Sequence, residues 1–208
     1  MSRRDARSGT SLRTSLRTSM RTRIAAAALA LTAFASVPPV QAVELAGVEV
    51  EDRLDADGTE LLLNGAGLRS RFMIKLYVAG LYTAQGGGSA ETIVADDAPM
   101  AITLDIVSDR VTRDKMIEAL DDGFAASTGG DTAALADGMA QLQETMGGEL
   151  AAGSSMMFAY APQGGTTVWR DGEPVGVIEG LAFKQALFGI WLSEKPVARK
   201  LKAGMLGG

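Results

Sequence analysis

The segment from Leu61 to Thr83 alternates in polarity at the period of a β-strand, and this alternation restricts the fold more than any other part of the chain. One set of alternate side chains is wholly apolar, namely Phe72, Ile74, Leu76 and Val78. The other set joins cations and a phenol to an apolar group, namely Arg69, Arg71, Met73, Lys75 and Tyr77. The pattern predicts a strand whose second face can line a site for a mostly apolar molecule with one anionic or polar end.

The chain contains neither cysteine nor histidine. Its stability therefore rests on packing rather than on disulfides. The same absence excludes Ser-His-Asp triads, cysteine nucleophiles and zinc sites built from histidine and cysteine. Any general acid or base must be Asp, Glu, Lys, Tyr or water, and we expect neither a cofactor nor a metal.

Residues 1–42 have the features of a removable signal peptide. Two arginines precede an uncharged run over 24–36, which is too short and too rich in alanine to span a bilayer. Small residues at the end of the segment predict cleavage after Ala42, and the basic residues that follow Met20 favour it as the true start. We therefore expect a periplasmic or secreted bacterial protein, with an uncleaved membrane anchor as the alternative.

Residues 43–208 are predicted to form a single domain, because this length can bury a core without covalent cross-links. This part of the chain holds 13 Lys and Arg against 24 Asp and Glu. Phosphate-backbone binding needs a basic surface, so we do not expect nucleic acid as a partner. After cleavage we expect no stable membrane anchor, and the oligomeric state stays open.

The order of the predicted elements indicates the fold class. Strands precede a pair of helices, one beginning after Thr112 and the other after Asp131. Three more strands lead to an apolar helix over 181–192 and to a last helix opened by Pro196. This order predicts an α+β fold, with an antiparallel sheet and helices packed on one side.

Three parts of the sequence resemble the chalcone isomerase-like family, in its bacterial secreted branch. They are Gly65-Ala66-Gly67-Leu68-Arg69 leading to Lys75-Leu76-Tyr77-Val78-Ala79-Gly80-Leu81-Tyr82, the stretch 153–158 with Pro162-Gln163-Gly164, and the stretch 177–179 followed by 183–192. The match covers nearly all of residues 43–208 and keeps the order of elements. It implies an open-faced β-sandwich of the chalcone isomerase type, with a ligand cleft between the large sheet and the helical layer.

The resemblance also implies positions for site residues. Plant members close a flavonoid ring with an Arg and a Thr on the long strand, a Tyr and an Asn from a helix, and a Thr or Ser on the penultimate helix. Arg69 takes the position of the Arg, and Tyr77 stands where the Thr would be, as in plant fatty-acid-binding relatives that pair an Arg with a Tyr. Lys115 and Asp122 fall near the helical Tyr and Asn, and Lys184 replaces the Thr or Ser. With four polar groups replaced, the resemblance disfavours isomerase activity on flavonoids.

Arg69 and Tyr77 form the leading candidate site. Their even separation places both side chains on one face of a strand, where a guanidinium fork and a phenol can hold a carboxylate. The alternative is a structural ion pair between Arg69 and an acidic side chain. Arg71 is a second candidate for the same role, because the resemblance makes the start of this strand about two residues shorter than in the plant enzymes. Lys184, a lone cation in an apolar helix, either reaches solvent or adds a second cation to the cleft.

Two functions follow from these candidates. The first is an exported protein that binds a fatty acid or a similar amphipathic carboxylate, with the ligand-binding residues Arg69, Tyr77, Arg71 and Lys184. The second is an isomerase or intramolecular lyase of the chalcone isomerase type, in which Arg69 and Tyr77 are catalytic and stabilise an oxyanion. The identity of the ligand or substrate stays open in both cases.

Overall fold

The computed structural model describes residues 43–208. The predicted signal peptide, with its cleavage point after Ala42 and the start at Met20, lies outside the described residues. The boundary between leader and domain therefore stays a prediction. Within the described part, no helix combines the length and the apolar character that a membrane span requires.

The described residues form nine strands. A short hairpin of β1 (Val43–Leu45) and β2 (Val48–Val50) stands apart from the main sheet. The main sheet has seven antiparallel strands in chain order, which are β3 (Arg53–Ala56), β4 (Thr59–Arg71), β5 (Ile74–Thr83), β6 (Met100–Ile106), β7 (Ser155–Ala161), β8 (Gly165–Arg170) and β9 (Glu173–Ile178). Each strand of the main sheet pairs with its neighbour in sequence, and the two long connections, β5–β6 and β6–β7, carry helices.

Five α-helices cover one face of this sheet. They are α1 (Ala90–Ala95), α2 (Arg113–Ser127), α3 (Ala136–Thr145), α4 (Leu181–Leu192) and α5 (Arg199–Met205). All five contribute side chains to one hydrophobic core with the sheet, whereas the β1–β2 hairpin packs on a smaller cluster at the opposite face. The predicted α+β fold, with an antiparallel sheet and helices on one side, is confirmed.

Local capping explains where some of these helices begin. The Thr112 hydroxyl accepts a hydrogen bond from the backbone N–H of Lys115, so α2 begins where the sequence predicts. The helix expected after Asp131 has no such cap and begins with a 3₁₀ turn over Ala133–Leu135. The last helix begins at Arg199 rather than at Pro196.

The segment from 61 to 83 is not one continuous strand, which corrects the sequence-based expectation. Phe72 and Met73 have φ angles of +49° and +65° and form a two-residue turn between β4 and β5. This is the left-handed geometry of a tight hairpin, in which Asn and Gly are the usual residues. Large apolar side chains carry no such signal, so the alternating pattern conceals the turn.

The hairpin changes which residues share a face. Arg69 pairs directly with Tyr77 across the two strands, so the predicted common face is correct although the path of the chain differs. A register shift between Arg69 and Ser70 leaves Leu76 as an extra residue on β5. Leu76 and Tyr77, expected on opposite faces, consequently line the same cavity.

Two glycines of β4 allow α5 to lie directly on the sheet. A Cβ atom on Gly67 would come within 2.9 Å of the carbonyl oxygen of Leu201, and one on Gly65 would meet the backbone of Gly204. Backbone-to-backbone contact of this kind needs residues without side chains. The Gly-Ala-Gly sequence at 65–67 therefore serves helix packing.

Candidate functional site

A cavity of about 420 Å³ lies between the β4–β5 end of the sheet and the helices α2 and α4. This volume is within the range typical of small-molecule sites, roughly 300–1,000 Å³. Most of the lining is apolar. The lining residues are Arg69, Arg71, Phe72, Ile74, Leu76, Tyr77, Arg110, Val111, Lys115, Met116, Glu118, Ala119, Leu120, Asp122, Ile190, Trp191 and Val197.

Tyr77 supplies a buried phenol to the cavity wall. Its hydroxyl oxygen accepts a hydrogen bond of 3.2 Å from Nε1 of Trp191 on α4, and both side chains are buried. Among residues 43–208, no group accepts a hydrogen bond from the Tyr77 hydroxyl itself. Burial raises the pKa of Tyr77, while the Trp191 hydrogen bond and the positive charge of Arg69 oppose that rise. The phenol is therefore protonated at neutral pH and can donate.

Arg69 supplies a cation next to this phenol. The side chain is half-buried, and its Nη1 atom donates a hydrogen bond of 3.1 Å to the carbonyl oxygen of Ser70. Within the described part of the chain, no carboxylate lies within 4.0 Å of the Arg69 guanidinium. A structural ion pair does not account for Arg69, so most of its donors are available to a ligand.

Arg71 lies further out than Arg69. It is exposed, and its guanidinium carbon stands 5.3 Å from the centre of the Phe72 ring at the hairpin turn. Both arginines line the cavity, and Arg69, beside the buried phenol, holds the deeper position. The ranking of Arg69 above Arg71 as a ligand-binding residue stays a prediction.

Helix α2 and the loop before it add charged groups of both signs to the cavity wall. Arg110 and Lys115 bring cations, and Glu118 and Asp122 bring carboxylates. Lys115 and Asp122, which the resemblance placed near the helical Tyr and Asn, do line the cavity. Together with the two arginines of β4, the wall carries more cations than carboxylates, although residues 43–208 as a whole are acidic. The cavity therefore favours an anionic group.

Lys184 does not line this cavity. Its side chain is completely buried, and Nζ donates hydrogen bonds to the carbonyl oxygens of Ile93 (3.0 Å), Val94 (2.9 Å) and Asp96 (2.7 Å). These are free carbonyl groups at the C-terminal end of α1, where a cation is favoured. Neither sequence-based expectation for Lys184 holds, because the ammonium reaches neither solvent nor the cleft.

Burial lowers the pKa of Lys184 to about 8, and the negative charges of Asp96 and Asp97 oppose that shift. The ammonium also lies 5.4 Å from the centre of the Tyr160 ring. Lys184 thus joins α4 to α1, and its contacts are those of a structural residue.

Trp191 is the site residue that the sequence analysis missed. Its place in the apolar helix over 181–192 is typical of a packing residue. Its indole ring is indeed buried and contacts Phe158, with the ring centres 5.8 Å apart. A buried indole N–H usually has a hydrogen-bond partner. A tryptophan in a helix predicted to pack beside the cleft was therefore the sequence feature that could have indicated a polar contact there.

Acidic side chains do not gather into a metal-binding cluster anywhere in residues 43–208.

Comparison with known proteins agrees with this architecture. A family model described as chalcone isomerase-like matches residues 42–207. The fold is similar to that of a crystal structure of a fatty-acid binding protein from Arabidopsis thaliana, with a TM-score of 0.64 and 16% sequence identity over 80% of this chain and 96% of that chain. No curated protein matches the sequence.

The likeness to the plant structure confirms the open-faced arrangement of sheet and helices that the resemblance implied. The family model, moreover, extends over nearly the whole described part of the chain. On this match, together with the shared fold, the protein belongs to the chalcone isomerase-like family.

Proposed function

We propose that the protein binds a fatty acid or a similar amphipathic carboxylate in the cavity between sheet and helices. The observation that carries this proposal is the pair formed by Arg69, a cation with no carboxylate partner among residues 43–208, and Tyr77, a phenol without an acceptor there. A carboxylate can accept from both groups at once, and hydrogen bonds to an ionised acceptor are stronger than neutral ones.

Trp191 strengthens this arrangement. By donating to the Tyr77 hydroxyl oxygen, the indole polarises the phenol and makes its O–H a better donor. Trp191 and Tyr77 thus form a chain of two donors that ends at the ligand. A neutral ligand head would satisfy this chain less well than an anionic one.

The apolar part of the cavity suits an acyl chain. Its walls come from both layers, with Leu76 on β5, Met116 and Leu120 on α2, and Ile190 on α4. Burying methylene groups against these side chains contributes about 0.8 kcal/mol each. The similar plant structure is that of a fatty-acid binding protein, which supports the same class of ligand here.

The test compares fatty-acid binding by the wild-type protein and by Arg69→Gln, with Arg199→Gln on the exposed face of α5 as the matched control. Loss of a hydrogen bond to a charged group costs about 1.5–3 kcal/mol, so Arg69→Gln should bind roughly 10- to 100-fold more weakly. Tyr77→Phe should weaken binding at least about tenfold, because it removes a donor to the same charged carboxylate. Equal affinities for Arg69→Gln and Arg199→Gln would contradict the proposal, as would the absence of any lipid in extracts of purified protein.

An isomerase of the chalcone isomerase type is the second candidate. The same protonated Tyr77 and the free Arg69 can stabilise a developing oxyanion. A chalcone cyclisation assay separates the two functions. Catalysis requires a rate above the spontaneous one that Arg69→Ala abolishes, and spontaneous rates for both proteins leave binding as the function.

We also propose that the protein is exported to the periplasm or secreted. The support is the signal-peptide pattern of residues 1–42, which the family model begins to match only at its last residue. N-terminal sequencing of the protein recovered from a bacterial periplasmic fraction should begin at Val43. A protein that stays with the cell membrane with its N-terminus intact would refute this.

A further inference from the structure

The turn between β4 and β5 exposes three consecutive large apolar side chains. Phe72 is 83% exposed, Met73 is 99% exposed and Ile74 is 42% exposed. In the rest of residues 43–208, the exposed large apolar side chains are Val43, Val175 and Val177. Contiguous exposed apolar surface marks a site of interaction. We call residues 71–75 the hairpin tip.

The backbone of the hairpin tip is poorly suited to these residues. Phe72 and Met73 both adopt left-handed φ angles, which are rare for bulky residues and are normally filled by Asn and Gly. Folding gains nothing from large apolar side chains that protrude into water from a strained turn. A contact outside the domain accounts for them better than stability does.

The charges on the β4–β5 hairpin itself are of one sign, although Glu118 and Asp122 of α2 line the same cavity as Phe72 and Ile74. No Asp or Glu occurs between Glu60 and Glu91, and this span carries Arg69, Arg71 and Lys75. The remainder of the described chain is strongly acidic. An apolar turn whose own two strands carry three cations is complementary to a bilayer with anionic head groups, where apolar side chains enter the acyl boundary and cations meet the lipid charges.

We propose that the hairpin tip is a membrane-docking element that inserts into anionic lipid surfaces. Phe72 and Ile74 belong to the tip and also line the cavity, so the docked protein places its cavity wall at the bilayer. One consequence rests on the proposed function. If the ligand is a fatty acid, it can move between the bilayer and the cavity along an apolar path.

Site-specific tryptophan quenching tests insertion directly. Met73→Trp and, as matched control, Val177→Trp on the opposite sheet edge are mixed with vesicles of equal parts phosphatidylcholine and phosphatidylglycerol, whose acyl chains carry bromine. Delipidated protein that begins at Val43 is used without added ligand, because the apolar run over 24–36 would itself bind lipid, and the signal of the native tryptophans is subtracted. The proposal expects quenching of Met73→Trp well above that of Val177→Trp. Equal quenching of the two, or none, would overturn it.

Vesicle flotation gives a second measure with the same lipids. Phe72→Ser/Met73→Ser should bind at least about tenfold more weakly than Val175→Ser/Val177→Ser, since it removes an aromatic and a long apolar side chain from the lipid. Lys75→Gln should weaken binding roughly fivefold, and only when phosphatidylglycerol is present. Undiminished binding of the tip variants would mean that the tip serves a protein partner or none, and would refute membrane docking.

The vesicle experiments do not depend on whether the cavity binds a fatty acid. Fatty-acid titration in solution without vesicles tests the proposed function, and vesicle binding without ligand tests the hairpin tip. A protein that binds fatty acid but not vesicles refutes the docking proposal alone.

Discussion

Replacing Lys184 with methionine tests the contact that joins α4 to α1. Methionine keeps most of the apolar stem but cannot donate to the carbonyl oxygens of Ile93, Val94 and Asp96. The contact to Ile93 is fully buried, so leaving that carbonyl unsatisfied costs about 1–3 kcal/mol. The other two are partly exposed and can bind water, at a loss of about 1 kcal/mol each.

A gain offsets part of this loss, because the substitution also removes the cost of burying an ammonium group. We expect a net destabilisation of about 2–4 kcal/mol in urea unfolding, or a fall in Tm of about 5–12 °C for a domain of this size. Lys200→Met, which makes the same change on the exposed face of α5, should stay within about 0.5 kcal/mol of the wild type.

The pH dependence gives an independent check. The pKa of Lys184 is about 8 in the folded protein and 10.5 in the unfolded chain. Between these values the unfolded chain holds a proton that the folded protein lacks, so this residue makes the folded state more stable as pH rises. The difference in unfolding free energy between wild type and Lys184→Met should therefore grow from pH 8 upward. A variant as stable as Lys200→Met, with no pH trend, would refute the capping argument.

Three further substitutions test other parts of the structure. Gly67→Ala should lower the free energy of unfolding in urea by about 1–3 kcal/mol, because the added methyl group forces α5 off the sheet. Gly164 has room for a methyl group, so Gly164→Ala should be near neutral. Equal effects of the two substitutions would contradict the close packing of α5. Burial raises the pKa of Asp105 above its ordinary value of 3.8. Between the two pKa values the folded protein holds a proton that the unfolded chain lacks, so the free energy of unfolding falls as pH rises from 3.8 to the pKa of the folded protein. Asp105→Asn should then raise the free energy of unfolding by less than about 1 kcal/mol at pH 7, and this gain should shrink toward pH 4. A lower free energy of unfolding for the variant at pH 7 would count against this argument. Trp191→Phe should weaken fatty-acid binding about fivefold in calorimetric titration, but not in a Tyr77→Phe background; additive losses would exclude the donor chain.

Only part of the candidate site was predictable from the alternating pattern. A regular two-residue turn between Arg71 and Ile74 would set Arg69 opposite Leu76 and leave Tyr77 on the other face. The extra residue Leu76 on β5 shifts the register by one and so restores the common face of Arg69 and Tyr77 that the pattern predicts. The turn itself was hidden, because Phe72 and Met73 continue the alternating pattern and lack the residues that usually mark left-handed geometry.

The roles of Lys184 and Trp191 were not predictable for a different reason. Both lie on the apolar helix over 181–192, where local pattern indicates burial but not the partner of a buried polar atom. The partner of Lys184 at Ile93 is 91 residues away along the chain, and the partner of Trp191 at Tyr77 is 114 residues away. Only the packing of α4 against α1 and the sheet decides these contacts.

Local periodicity and the order of elements were sufficient to determine the α+β class and the antiparallel sheet, and the apolar run over 181–192 determined the bounds of α4. The absence of histidine and cysteine limited the chemistry to arginine, lysine, tyrosine and carboxylates. The tertiary structure decided which cation has no carboxylate partner among residues 43–208 and which one caps a helix. The physical reason is that a buried charge is stabilised by whichever acceptors the folded chain brings to it, and those acceptors come from distant parts of the sequence.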